Sequence, residues 1–308
     1  MTLGYTDPLY LLPFDHRHSY LTGMFKFEAP LTAAQHAQVV DSKRLIYEGF
    51  LHALTEGVPA THAGILVDEE FGAEVLRDAK ARGAITALSV EGSGSDEFHF
   101  EYGDAFGAHI LAFEPTFAKV LVRYNPQGDA EVNARQTERL ARLSAWCRSH
   151  QQRLMFELLV PATPGQLAQF AGDPARYDLG ARPALMQQSI ETLQDAGVEP
   201  DVWKIEGLDR AEDCRRIVAS ACRGGRLAVS CIVLGRGADD TRVASWLKTA
   251  AAVPGFIGFA VGRTSFWNPV ADYESGKATR VEAAARIAAR FADWVEIFSA
   301  AAAPGGRP

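Results

Sequence analysis

A lysine stands inside an apolar run at Asp201-Val202-Trp203-Lys204-Ile205-Glu206-Gly207, and its surroundings make it the first candidate for chemistry. In an extended strand, residues two apart share a face, so Lys204 and Glu206 are expected to project the same way. A lysine among core-facing residues is costly unless it is paired or loses its charge. An uncharged lysine amine is a nucleophile that adds to carbonyls and forms Schiff bases. A buried Lys–Glu ion pair is the plainer reading of the same segment.

Comparable charges stand at the ends of other apolar runs. Asp15 is followed by His16 and Arg17, Asp68 by Glu69 and Glu70, and a third run ends in Glu91. Lys119 and Arg123 share a face of a fourth run, and Glu157 lies within a fifth. Glu69, Glu70 and His18 read best as helix caps or solvated loop charges. Lys119, Glu157 and Lys204 are flanked by apolar residues that leave little room for solvent. Two glycine–arginine turns follow near the C-terminus, Gly235-Arg236-Gly237 and Gly262-Arg263. Glycine lets backbone amides approach an anion and arginine adds paired donors. No two histidines have the spacing of a zinc-binding helix, so neither a metal nor any other cofactor is expected.

The elements that would carry these residues follow from the apolar runs. Strands are predicted over 9–15, 63–68, 85–91, 117–124, 153–160, 201–206, 226–233 and 256–262, each followed by a plausible crossover. The clearest helix, 131–149, sets Val132, Leu140, Leu143, Trp146 and Cys147 in one stripe. Eight alternating βα units predict an α/β protein, a single (β/α)8 TIM barrel over residues 8–298 with a flexible tail over 299–308. A doubly wound sheet would want a glycine-rich turn after its first strand, where Asp15-His16-Arg17-His18 stands instead. The Pro-, Gly- and Ala-rich segment 161–183 reads as a loop with a short helix. In a barrel the site lies at the C-terminal ends of the strands, and phosphate sites commonly use the loops after strands seven and eight. The charged run-ends and both glycine–arginine turns fall there.

The 308 residues are 47% hydrophobic and 22% charged with a formal net charge of -7, ordinary for a soluble globular chain and poorly suited to a polyanion. No basic stripe suggests nucleic acid, no run is long enough to span a bilayer, and no signal peptide opens the chain. The cysteines at 147, 214, 222 and 231 lack C-x-x-C spacing and read as free thiols. A cytoplasmic protein is expected; the sequence is compatible with a homo-oligomer.

The chain resembles the DUF2090 family over about residues 8–298. The resemblance rests on Phe14-Asp15-His16-Arg17, on the run from Leu66 through Val67-Asp68-Glu69-Glu70-Phe71 to Gly72, and on Lys119 through Pro126. Phe156-Glu157, Trp203-Lys204-Ile205-Glu206 and Val261-Gly262-Arg263 complete it. That family occurs alone and as the C-terminal half of bifunctional inositol-catabolism proteins. It is associated with aldol cleavage of 2-deoxy-5-keto-D-gluconate 6-phosphate, and it resembles class I tagatose-1,6-bisphosphate and sulfofructose-phosphate aldolases. A sugar-kinase domain precedes the barrel in bifunctional members; with the first strand near residue 8, none is expected here.

The resemblance implies a Schiff base on Lys204, assisted by Lys119 and Glu157, with the phosphate held by Gly262 and Arg263. Ser230 would join the phosphate site, although the sequence after it departs from the family's serine turn and raises Arg236, with Gly235, as a further anion ligand. The implied partner is a small phosphorylated keto sugar, cleaved in myo-inositol catabolism to dihydroxyacetone phosphate and malonate semialdehyde. Glu157, in apolar surroundings, is expected to have a raised pKa and to shuttle protons. Asp15 is the alternative and would more naturally orient a lysine. Arg17, Arg123 or His16 would meet the substrate carboxylate. Glu206, if ionised beside Lys204, would oppose its neutralisation, so pairing with Lys119 or an arginine is the more favourable arrangement. Another phosphorylated or sulfonated ketose, a phosphosugar isomerase or epimerase, and a non-catalytic phosphosugar sensor are the competing readings.

Overall fold

In the computed structural model of the chain, which describes residues 2–302, the eight apolar runs are eight strands. They are β1 (Leu9–Pro13), β2 (Ala63–Val67), β3 (Ile85–Ser89), β4 (Phe117–Arg123), β5 (Arg153–Leu159), β6 (Val202–Glu206), β7 (Ser230–Leu234) and β8 (Phe256–Ala260). Neighbours pair in sequence order, all parallel, and β8 pairs with β1 to close the barrel. The fold is therefore a single (β/α)8 barrel. The closing seam needs a residue without a side chain: a Cβ on Gly258 would lie 1.8 Å from the Leu9 carbonyl oxygen.

The strands are shorter than the apolar runs suggest, for one recurring reason. Asp15, Asp68 and Glu91 lie just beyond the ladder, where the chain turns toward the following helix. Asp68 caps that helix by accepting from the Phe71 amide at 2.9 Å. At β7 the expected start was four residues early. Residues 226–229 form a turn, and Arg226 is tied to Glu199, with Nε 2.7 Å from Oε2.

The principal helices are α1 (Ala33–Thr55), α2 (Glu69–Ala81), α3 (Phe106–Phe113), α4 (Ala130–Ser149), α5 (Arg182–Asp195), α6 (Ala211–Cys222), α7 (Asp240–Ala251), α8 (Arg263–Glu274) and α9 (Arg280–Ala301). Thr32 with Gln35 and Thr279 with Glu282 form capping boxes at the starts of α1 and α9. The segment 161–183 holds two short helices, Pro164–Gln169 and Pro174–Gly180, rather than one. Because α9 runs to Ala301, the tail expected from residue 299 does not begin there, and residues 303–308 lie outside the described residues. No helix among the described residues is long and apolar enough to cross a membrane. Cys147, Cys214 and Cys231 are buried, and Cys222 is partly so.

The period-two alternation of each strand builds two cores. Outward side chains such as Leu12, Ile65, Val120, Phe156 and Trp203 pack beneath the helices. Inward ones form a separate floor, including Leu11, Ala87, Phe117, Met155, Val202 and Ile232. Two residues further along the same inward lines, this floor gives way to charge: Phe117 to Lys119, Met155 to Glu157, Val202 to Lys204. Apolar packing below thus excludes water from the base of a charged layer above.

Candidate active site

The charged layer centres on Lys119. Its Nζ lies 2.7 Å from Asp15 Oδ2, 2.7 Å from Glu91 Oε1 and 2.9 Å from Glu157 Oε2. Lys204 Nζ lies 2.7 Å from that same Glu157 oxygen. The register explains the bridge, since Glu157 stands directly opposite Lys204 across β5 and β6, with Lys119 one strand further. Lys119 is fully buried and Lys204 is 3% exposed. The place a cation would take among Asp15, Glu91 and Glu157 is filled by an ammonium group. No cluster of three or more His, Cys, Asp or Glu suited to a metal occurs among the described residues.

Electrostatics give these groups different states. Burial works against the Lys119 cation, but Asp15, Glu157 and Glu91 outweigh it and hold its pKa well above the ordinary value. Burial likewise opposes Asp15 ionisation, yet Lys119 and Lys204 pull its carboxyl far below the usual range. Glu91 moves the other way: burial raises it despite Lys119. Burial pushes His16 down to about 4, so its ring is neutral at pH 7. The expectation of a raised pKa at Glu157 is corrected. Burial does push it up, but the two ammonium groups on one oxygen leave it lowered.

A cavity of about 190 Å³ opens above this layer, lined by Asp15, His16, Arg17, Glu91, Arg123 and Lys204 among others. Arg17 is largely committed, with Nη1 2.7 Å from Glu101 Oε2 and Nη2 donating to the Glu91 carbonyl. Arg123 stands at the rim. It is more open, donating to the Ser95 carbonyl at 3.2 Å and facing exposed Asp96 at 3.4 Å. Of the three residues expected to meet a carboxylate, Arg123 is the cation with most freedom to do so, and His16 supplies a neutral ring.

Strand six sends its second acid elsewhere. Glu206 Oε1 is 2.9 Å from Arg236 Nε, while its Oε2 accepts from the Val160 amide at 2.9 Å and lies 3.7 Å from Arg182. The arginine alternative for Glu206 is the one realised. It also corrects the expectation for Arg236, whose guanidinium is taken up by Glu206 and by Asp178 at 2.5 Å. A guanidinium held by two carboxylates is a poor anion receptor. Gly235 belongs to the same turn. Ser230 is corrected too: it lies two positions before Ile232 on the inward line, below the floor, and its hydroxyl donates to the Tyr5 carbonyl. That is the end of the barrel opposite to the site.

Arg263 is different. It opens α8, is exposed, and makes no ion pair with an acid among the described residues; its Nη2 donates to the Arg236 carbonyl at 3.3 Å and lies beside Gly237. Gly262 before it must be glycine, because a Cβ would sit 2.1 Å from the Pro13 carbonyl oxygen. A second, open cavity of about 610 Å³ is lined by Gly237, Arg263, Thr264, Trp267 and Asn268. A helix N-terminus with a free arginine suits an anion.

Two features are not evident from the sequence alone. Glu91 ends an apolar run, which by itself assigns it no role. Lys43, fully buried in α1, forms an ion pair with Asp68, and burial lowers its pKa. Its signal was present: Val39, Lys43, Ile46 and Phe50 follow one helical stripe, with a lysine where an apolar residue is due.

The family model described as "Uncharacterized protein conserved in bacteria (DUF2090)" matches residues 4–302. No curated protein matches the chain. Among solved structures it is similar to a fructose-bisphosphate aldolase from Plasmodium falciparum, solved with TRAP and a small-molecule inhibitor. The TM-score is 0.65, the identity 11%, and 99% of each chain is covered. An archaeal fructose 1,6-bisphosphate aldolase gives a TM-score of 0.54 at 12% identity, covering 93% of this chain and 94% of that one. A Schiff-base-forming fructose-1,6-bisphosphate aldolase gives 0.52 at 13% identity, covering 92% and 93%. At such identities the likeness is one of fold.

Proposed function

The chain belongs to the DUF2090 family, and from that membership and the geometry around Lys204 we propose that it is a class I aldolase acting on a phosphorylated keto sugar acid. The observation that carries the reading is a buried lysine at the barrel mouth whose nitrogen is 2.7 Å from a carboxylate able to take its proton. The (β/α)8 fold it has in common with aldolases, one of them described as Schiff-base-forming, is consistent with it.

The Glu157 pKa is held low partly by the Lys204 charge itself, so passing one proton from Lys204 to Glu157 removes that influence and leaves a neutral amine beside a neutral acid. The amine adds to the substrate ketone, and Glu157 returns the proton to the departing hydroxyl as water leaves. The resulting iminium draws the electron pair of the adjacent carbon–carbon bond when it breaks. Lys119 remains an ammonium ion throughout and fixes Asp15 and Glu157 in place. Arg263, with the start of α8, would hold the phosphate, and Arg123 at the rim would meet a carboxylate. A substrate bearing both groups fits 2-deoxy-5-keto-D-gluconate 6-phosphate, which would yield dihydroxyacetone phosphate and malonate semialdehyde and place the enzyme in inositol catabolism.

Borohydride reduction in the presence of dihydroxyacetone phosphate, followed by peptide mass mapping, tests the reading. A reduced adduct on the peptide holding Lys204 is expected; an adduct elsewhere, or none, rejects it and favours an isomerase or epimerase that needs no imine. The arginines give a second, independent contrast. Arg263→Ala should lower kcat/KM for a phosphorylated substrate by about 10- to 100-fold, the worth of a charge-assisted hydrogen bond. Arg236→Ala should instead lower the melting temperature, because Glu206 and Asp178 lose a shared cation, and should leave KM nearly unchanged. Steady-state kinetics and thermal melting of the two variants separate these outcomes.

A further inference from the structure

Building on the Schiff-base reading of Lys204, we propose that Glu91 is a second catalytic group, the carboxyl that takes the substrate's hydroxyl proton as the carbon–carbon bond breaks and returns it to the carbon left behind. The position is built rather than incidental. Just past the end of β3, Glu91 pairs antiparallel with Phe100, which fixes its backbone at the barrel mouth. Its Oε1 is 2.7 Å from Lys119 Nζ, whereas Oε2 is buried without a hydrogen-bond partner among the described residues. The residue is 8% exposed and lines the same cavity as Lys204. A buried carboxyl oxygen left unmet is costly, and a ligand hydroxyl in this cavity would satisfy it.

The charges around it separate Glu91 from its neighbours. It faces Lys119 from β4 and Asp15 and Arg17 from the turn after β1, while Glu157 from β5 meets the same Lys119 and Glu101 on its own loop meets the same Arg17. Glu157 receives two ammonium groups, and the Arg17 charge is answered by Glu101. Glu91 shares Lys119 with two other carboxylates and, among the described residues, has no further side-chain ion pair. Burial therefore raises its pKa while Asp15 is pulled far down. Carboxyls pushed apart in this way divide their tasks: Asp15 stays ionised and Glu91 exchanges a proton.

In cleavage, the Glu91 carboxylate takes the proton of the hydroxyl on the departing carbon. The O–H electron pair becomes the second bond of the aldehyde, and the carbon–carbon pair moves into the Lys204 iminium to give a neutral enamine. Once the aldehyde has left, Glu91 returns its proton to the enamine carbon, restoring carboxylate and iminium, and water releases the ketone. No oxidant or reductant is required.

The probe is dihydroxyacetone phosphate alone, so the identity of the aldehyde does not enter. With Glu91→Gln, borohydride should still trap the phosphate ester on Lys204 in native yield. Exchange of its carbon-bound hydrogen in deuterated water, followed by NMR, should fall by about 100-fold or more. In the native protein that exchange should weaken as pH falls through the raised Glu91 pKa, and the variant should lack this acid limb. Glu91→Asp should recover part of the rate and the limb. Exchange by Glu91→Gln within about threefold of native, an unchanged acid limb, or loss of trapping in that variant alone overturns the assignment to Glu91. Absence of an adduct in the native protein overturns the Lys204 reading and this one with it.

Discussion

Lys204→Met is expected to abolish reductive trapping and to lower turnover by about 10⁴-fold or more, since no other group takes over a covalent nucleophile's part. The fold should survive. Glu157 keeps Lys119 at 2.9 Å after the change, so no buried carboxylate is left bare. A methionine thioether fills the volume of the lysine stem above Val202, the buried residue two positions earlier on the same inward line. Circular dichroism and a melting curve close to native, together with loss of activity, would separate a chemical role from a structural one. Turnover within about tenfold of native would end the aldolase proposal.

Lys119→Met should have the largest effect on stability, about 3–5 kcal/mol, because it leaves buried acids without their common partner. Asp15, Glu91 and Glu157 all lie within 2.9 Å of the nitrogen that is removed. The pH dependence has a definite sign. Lys119 has a raised pKa in the fold, so the stability it contributes is fully present below its unfolded value and is lost only at strongly alkaline pH. Asp15 has a lowered pKa, so its share is present above the unfolded carboxyl value and is lost as pH falls. The melting gap between native and variant should therefore be widest near neutrality and close in acid, where the stranded carboxyls take up protons. A gap that is constant from pH 7 to about pH 4 would contradict this account of the layer.

The barrel was legible because its strands are buried on both faces, giving short continuous apolar runs with polar turns between them. The same feature blurred the strand ends. Asp15, Asp68 and Glu91 follow such runs directly, and nothing in the letters says that the ladder stops before them. Lys119, Glu157 and Lys204 stood out because a charge inside a buried run has few explanations. Their partners did not, since pairing depends on how strands stagger around a closed sheet. Glu157 looked like an acid in oil, yet strand register gives it two ammonium neighbours. Arg236 and Arg263 occupy similar glycine-flanked turns, and only the placement of Asp178 and Glu206 beside Arg236 tells which is already engaged. Ser230 failed for a simpler reason: a strand seven that starts four residues later than expected puts its first residue at the bottom.

The shared Glu157 oxygen has one further consequence. Before the substrate arrives it faces an ammonium charge on Lys204, and in the covalent intermediate it would face an iminium charge on the same nitrogen. The protein would then greet its intermediate with dipoles already oriented for it, and little solvent or side-chain rearrangement would accompany bond making. Only the enamine, momentarily neutral, would be out of tune with that standing field, and this mismatch would hurry it onward.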